Sequence, residues 1–171
     1  MKFSNSFIFS LLLVVAFLLT TSLNLFGQEK QISKKEVPSA VLKSFKKEYP
    51  KAHIKGLSTE TEKGKSYFEI ESIDGKVRRD LLYTPEGKVA EIEETITTSE
   101  LPKESIESIQ KKIPGGKIEK AERVTSGSKV TYELRVAGKK AIYEVVLDST
   151  GKVVKAEKIN KENDENDEDN D

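Results

Sequence analysis

Glu36-Val-Pro-Ser-Ala-Val-Leu-Lys-Ser-Phe-Lys-Lys-Glu-Tyr-Pro50 reads as a helix bracketed by prolines, and it recurs as Glu100-Leu-Pro-Lys-Glu-Ser-Ile-Glu-Ser-Ile-Gln-Lys-Lys-Ile-Pro114. The displacement is 64 positions, since Pro38 falls on Pro102 and Pro50 on Pro114. The same offset carries Ile54 onto Ile118, Glu69 onto Glu133, and Gly87-Lys88-Val89 onto Gly151-Lys152-Val153. Self-similarity at a fixed spacing predicts a tandem duplication. Each unit is about 60 residues, a size that buries little surface by itself, so the two halves are expected to lean on each other.

Proline suits the first turn of a helix, where its missing N–H would have had no partner. From Val37-Pro38 onward, Val37, Val41, Leu42, Phe45 and Tyr49 fall on one stripe, with Lys43, Lys46, Lys47 and Glu48 opposite. Pro50 disfavours a helical Tyr49 and ends the element. Leu101, Ile106, Ile109 and Ile113 are expected to repeat the stripe before Pro114-Gly-Gly116.

Beyond each helix the apolar period changes from helical to alternating, as an antiparallel sheet with one covered face requires. Strands are expected near 52–61, 66–73, 76–84 and 89–96, and again near 117–125, 129–137, 140–147 and 153–159. The turns between them hold glycine, as in Asp74-Gly75, Pro85-Glu-Gly87 and Ser149-Thr-Gly151. They are too short for parallel crossovers, so the strands form meanders. The expected fold class is α+β, with two repeats that each pack one helix on a four-stranded antiparallel sheet.

Two strands do not fit a one-sided sheet. Ala141, Ile142, Tyr143, Val145, Val146 and Leu147 place apolar groups on both faces, and Leu81, Leu82 and Tyr83 echo them. A helix covers one face only. The other is left to the second unit, to another copy of the chain, or to a partner.

Residues 1–27 open with Lys2 as their one charge, followed by a run from Phe7 to Leu19 that is apolar except for Ser10. This reads as a secretory signal peptide, with cleavage after Gly27 or, as a fallback, after Ser22. An uncleaved anchor reaching Phe26 is the alternative. The expected location is the periplasm or the exterior, with no membrane attachment once the signal is removed. No cysteine is present, which excludes disulfides, thiol chemistry and a lipid anchor on a terminal Cys. The formal net charge of zero conceals a division. The segment 161–171 carries seven acids and one lysine and is expected to be disordered, while bases exceed acids by five over 28–160.

No reaction centre can be assembled. His53 is the sole histidine and has no Cys beside it to complete a zinc site. Ser126-Gly-Ser128 is a hairpin rather than a nucleophile elbow, and Gly87-Lys88 and Gly151-Lys152 feed strands, not the helix a phosphate loop needs. Glu91, Glu93 and Glu94 read as solvated strand faces. Asp164, Asn166 and Glu168 lack the glycine and distal Glu of a calcium loop. Basic residues lack an aromatic stacking platform, which argues against nucleic acid. No cofactor, metal or catalytic residue is expected.

The pattern Val-Pro-x-x-Val-Leu-x-x-Phe-x-x-x-Tyr-Pro at 37–50, the Tyr-Phe-Glu-Ile strand at 67–70, the Asp-Gly-Lys hairpin at 74–76 and the Gly-Lys-Val hairpin at 87–89 resemble the PepSY-like domains, also described as β-lactamase-inhibitor-like. The resemblance spans 36–96 and 100–159, and is weaker in the second stretch, where Ile109 and Ile113 replace the aromatics. It implies a small exported module of Bacteroidetes-type bacteria, one helix on four strands, that binds or inhibits an envelope protein or peptidase. No inhibitory contact residue is implied, because the matching positions are scaffold.

The expected function is therefore an exported, non-enzymatic binding module acting through a sheet face. The alternatives are a structural or stress-related envelope protein that self-associates and, third, a hydrolytic enzyme. Candidate partner-binding residues are Tyr67, Glu71, Leu82, Arg135, Ile142 and Val146, which offer aromatic, arginine and apolar anchors. The same residues serve equally as filling between the two units. The expected partner is a protein, either another species or a second copy of the chain itself.

Overall fold

The structure, a computed structural model, describes residues 29–62 and 64–159. The expected signal peptide over 1–27 and the acidic tail over 161–171 lie outside these residues. A two-residue strand β1 (Lys30–Gln31) leads into α1 (Ser39–Glu48) and then β2 (His53–Glu62), β3 (Lys65–Asp74), β4 (Val77–Tyr83) and β5 (Val89–Thr95). A short 3-10 turn at Thr98–Glu100 precedes α2 (Ser105–Lys112), followed by β6 (Lys117–Ser126), β7 (Lys129–Ala137), β8 (Ile142–Leu147) and β9 (Val153–Ile159).

These strands form a single nine-stranded antiparallel sheet in sequential order. The expectation of two four-stranded sheets, each under its own helix, is overturned by one contact. β5 and β6 pair directly, from Glu91 opposite Ser126 to Thr95 opposite Glu122. A two-sheet arrangement would leave both strands with unpaired backbone edges, and their pairing removes those edges. The architecture is mostly sheet, with only two short helices. β1, outside the expected strands, is a further departure. Lys30 and Gln31 pair with Thr59 and Ser58, extending the sheet by one strand.

Alternation and register place both helices on the same face. α1 packs Val41 and Phe45 onto Ile70 of β3 and Leu81 and Tyr83 of β4, with Ile92 of β5 against this cluster. Ile92 stands opposite Thr125, and two-residue steps down β6 lead to Ala121. Ala121 belongs to the second cluster, with Ile109 and Ile113 of the α2 region, Leu134, Val145 and Leu147. The stripe expected on α1 is buried as read, but on α2 it differs. Ile106 is about half exposed, and Ser105 is fully buried at the position corresponding to Val41.

Two glycines seat the helix starts. Gly87, at φ 81°, lies so close to Ala40 that a Cβ would meet the Ala40 carbonyl oxygen at 2.6 Å. Gly151, at φ 92°, stands likewise against Ser105, whose Oγ would be 2.5 Å from a Cβ. Ser108 on α2 accepts the backbone N–H of Val153 at 2.8 Å, which ties this helix to β9.

Candidate partner-binding face

With both helices on one side, the opposite face of the sheet carries no helix among the described residues. Its membership follows from register. Glu69 faces Leu82, Glu71 faces Asp80, Asp80 faces Glu93, Leu82 faces Glu91, and Glu93 faces Val124. Val124 faces Thr131, Glu122 faces Glu133 and Lys120 faces Arg135. Glu133 then faces Val146, and Ala137 faces Ile142. All six sequence candidates, Tyr67, Glu71, Leu82, Arg135, Ile142 and Val146, fall on this open face. Tyr67, Glu71 and Leu82 cluster on β3 and β4, whereas Arg135, Ile142 and Val146 lie on β7 and β8, so they form two groups rather than one patch.

Between the groups runs a feature the sequence reading passed over. Glu71, Asp80 and Glu93 stand directly opposite one another on three adjacent strands. Glu93 was read as solvated, yet it is only 8% exposed. Side chains of the neighbouring strands enclose it, including buried Leu82 and Val124. Burial, reinforced by Glu133, Glu122, Glu91 and Asp80, pushes its pKa up to about 9. Burial also raises Asp80 to about 7, helped by Glu69 and Glu71. Glu69 rises to about 7 for the same reason, although Ser58 Oγ donates to its Oε2 at 2.7 Å and works the other way. Glu71 shifts upward by burial and by the charge of Glu29, with Arg78 opposing. Its carboxyl lies over Gly56, within 2.6 to 2.8 Å of where a Cβ would sit. A side chain at 56 would displace it.

Arg78 stands on this face beside Glu71 and Asp80, and three further cations toward the other end are engaged. Lys120 Nζ is 2.9 Å from Glu122, Arg135 Nε is 3.3 Å from Glu119, and Lys155 Nζ is 2.9 Å from Glu157. The helix-bearing face handles its charges differently. There Glu94 accepts from Arg79 Nε at 2.7 Å and from Arg123 Nη2, and the Arg79 guanidinium lies 5.0 Å from the Tyr49 ring centroid. Glu94, also read as solvated, is the acceptor of a part-buried seam between the two cores.

Catalytic geometry does not emerge from these groups. Among the described residues, no three His, Cys, Asp or Glu side chains converge as metal ligands, and His53 is exposed at the start of β2. A shallow cavity of about 230 Å³ beside α2 is lined by Thr98, Ile106, Ile109, Gln110, Gly116 and Ile118, with no titratable side chain. No helix among the described residues is long and apolar enough to cross a membrane.

No protein-family model matches the chain, and no curated protein does. Solved structures do match in fold. A protein described as periplasmic from Bacteroides eggerthii has a TM-score of 0.59 at 17% identity, covering 72% of this chain and 89% of that one. A DUF2874 family protein from Bacteroides uniformis has a TM-score of 0.57 at 16% identity over 71% and 88%. A BLIP-like protein from Bacteroides fragilis has a TM-score of 0.54 at 12% identity over 71% and 86%. The chain therefore has a BLIP-like fold. The PepSY-like name does not occur among these three.

Proposed function

We propose that this chain is an exported, non-enzymatic binding module that holds a protein partner against the open face of its sheet. The observation that carries this reading is the one-sided placement of both helices. It leaves the part-exposed Tyr67 and Ile142 directed away from both cores, on a face that also bears Arg135, whereas Leu82 and Val146 point the same way but are closed in by neighbouring side chains. Apolar, aromatic and arginine anchors on one uncovered surface are the usual ingredients of a protein interface. Inhibition or sequestration of an envelope peptidase is the finer form of the proposal, supported by the resemblance at 37–50 and by the BLIP-like fold. A periplasmic or secreted location is supported by the signal-like composition of 1–27 and by the likeness to a protein described as periplasmic. Descent of 36–96 and 100–159 from a PepSY-like ancestor is proposed on the same motif.

Affinity capture from the native envelope, followed by mass spectrometry, tests the reading. The tagged chain is expected to recover a specific protein, and Ile142→Asp is expected to lose it while keeping the fold. Recovery of the chain alone, as a dimer by light scattering, would favour a self-associating envelope protein. Metal-independent turnover of a substrate would overturn both readings.

A further inference from the structure

We infer that the occupant of the open face is a cationic protein segment, with an arginine or lysine seated over the Glu71–Asp80–Glu93 row. The inference rests on the binding reading above and adds the chemistry of the partner.

Like charges directly opposite on adjacent strands destabilise a sheet, and a carboxylate withdrawn from water is costly without a partner. Fully ionised, the row would break both rules, and burial accordingly favours its protonated form until a cation is supplied. Glu93 is 8% exposed, and the charges acting on it, those of Glu133, Glu122, Glu91 and Asp80, are all carboxylates. The neighbouring position on the same strand shows what this sheet does when it completes a row internally: Glu94 sits between Arg79 and Arg123. On the open face Arg78 offsets Glu71 and Lys120 offsets Asp80, but no cation acts on Glu93. Gly56 adds a built element, because the absence of a side chain there admits the Glu71 carboxyl above β2.

Charge excludes the other occupants. The chain's own segment 161–171 carries seven acids and one lysine, so it offers an excess of carboxylates rather than the cation the row lacks. A two-fold pairing of open faces would set one carboxylate-rich centre against another. Anionic lipid fails for the same reason. A bare metal ion needs converging ligands, which the described carboxylates do not supply. An extended cationic segment does not need convergence. It can lay one charged side chain across the row.

The test uses the full chain and two probes, acetyl-Leu-Arg-Leu-Arg-Leu-amide and its counterpart with glutamate in place of arginine, followed by amide NMR shifts. The arginine peptide is expected to shift amides of β3 to β5, and the glutamate peptide is not. Combining Asp80→Asn with Glu93→Gln should weaken the arginine peptide by about tenfold or more. Glu107→Gln on exposed α2, at the same cost per charge, should not. Gly56→Ala, which displaces Glu71 without altering net charge, should weaken it in part. Equal binding of both peptides, equal loss with Glu107→Gln, or no shift at all would overturn the inference. The two readings fail separately. If the captured envelope protein is lost with Ile142→Asp but kept by the Asp80–Glu93 double variant, the face binds and the cationic chemistry is wrong. If Ile142→Asp keeps it, the binding reading itself falls.

Discussion

Arg79 Nε donates to Glu94 Oε2 at 2.7 Å across the β4–β5 ladder, with the two side chains 15% and 19% exposed. The second oxygen of Glu94 takes Arg123 from β6. This one carboxylate therefore joins strands on either side of the junction between the two cores. Because it serves two part-buried guanidinium groups, Glu94→Gln is expected to cost about 2–4 kcal/mol, measured by urea unfolding. A loss below about 0.5 kcal/mol would mean that the seam is screened like a surface pair.

The carboxylates of the open face set the pH dependence of stability. Their folded pKa values lie above the unfolded ones, so the neutral form is favoured by folding. Their contribution is fully present below about pH 4 and is lost as pH rises through about 7 for Glu69 and Asp80 and about 9 for Glu93. The melting temperature is accordingly expected to fall between pH 5 and pH 9. Glu93→Gln should raise it at pH 8 to 9 and change it little at pH 5. A wild-type profile that rises across that window would refute the assignment.

Gly87 and Gly151 combine positive φ with backbone closer than a Cβ tolerates. Alanine at either is expected to destabilise by about 2–4 kcal/mol in chemical denaturation. Gly127 also has positive φ, at 61°, but nothing lies within 4 Å of a Cβ there. Gly127→Ala should therefore cost only about 1–2 kcal/mol. Equal losses at all three would remove close approach as the cause.

Because β5 and β6 are hydrogen-bonded, the two cores should melt together. Ile70→Ala in the first core and Ile109→Ala in the second remove side chains that are 0% and 1% exposed, and each should cost about 2–5 kcal/mol. Differential scanning calorimetry should show one transition that both variants lower as a whole. Two transitions, each moved by only one variant, would show that the β5–β6 ladder does not couple the halves.

Much of the fold was legible locally. Eight of the strands lie within two residues of their expected bounds, because alternation along a strand and glycine at a turn are properties of neighbouring residues. The α1 stripe was legible for the same reason, since Val41 and Phe45 share a face by helical spacing alone. Ile106 misled because it falls on the position of Leu42, at the margin of the buried stripe, which on α2 is carried by Ser105 and Ile109. A second, helix-free face was suggested by the two-sided apolar strands around Leu82 and Val146. Its carboxylate row was not, since Glu71, Asp80 and Glu93 lie far enough apart in sequence to look like unrelated solvated charges.

The sequence by itself determined where helices and strands occur, which hairpins join them, and that cysteine and paired histidine chemistry are excluded. Tertiary structure alone decided that β5 pairs with β6, that both helices share one side, and that three carboxylates meet on the other. The physical reason is range. Periodicity and turn chemistry are written in adjacent residues, whereas strand register and desolvation depend on which distant backbone comes to lie alongside.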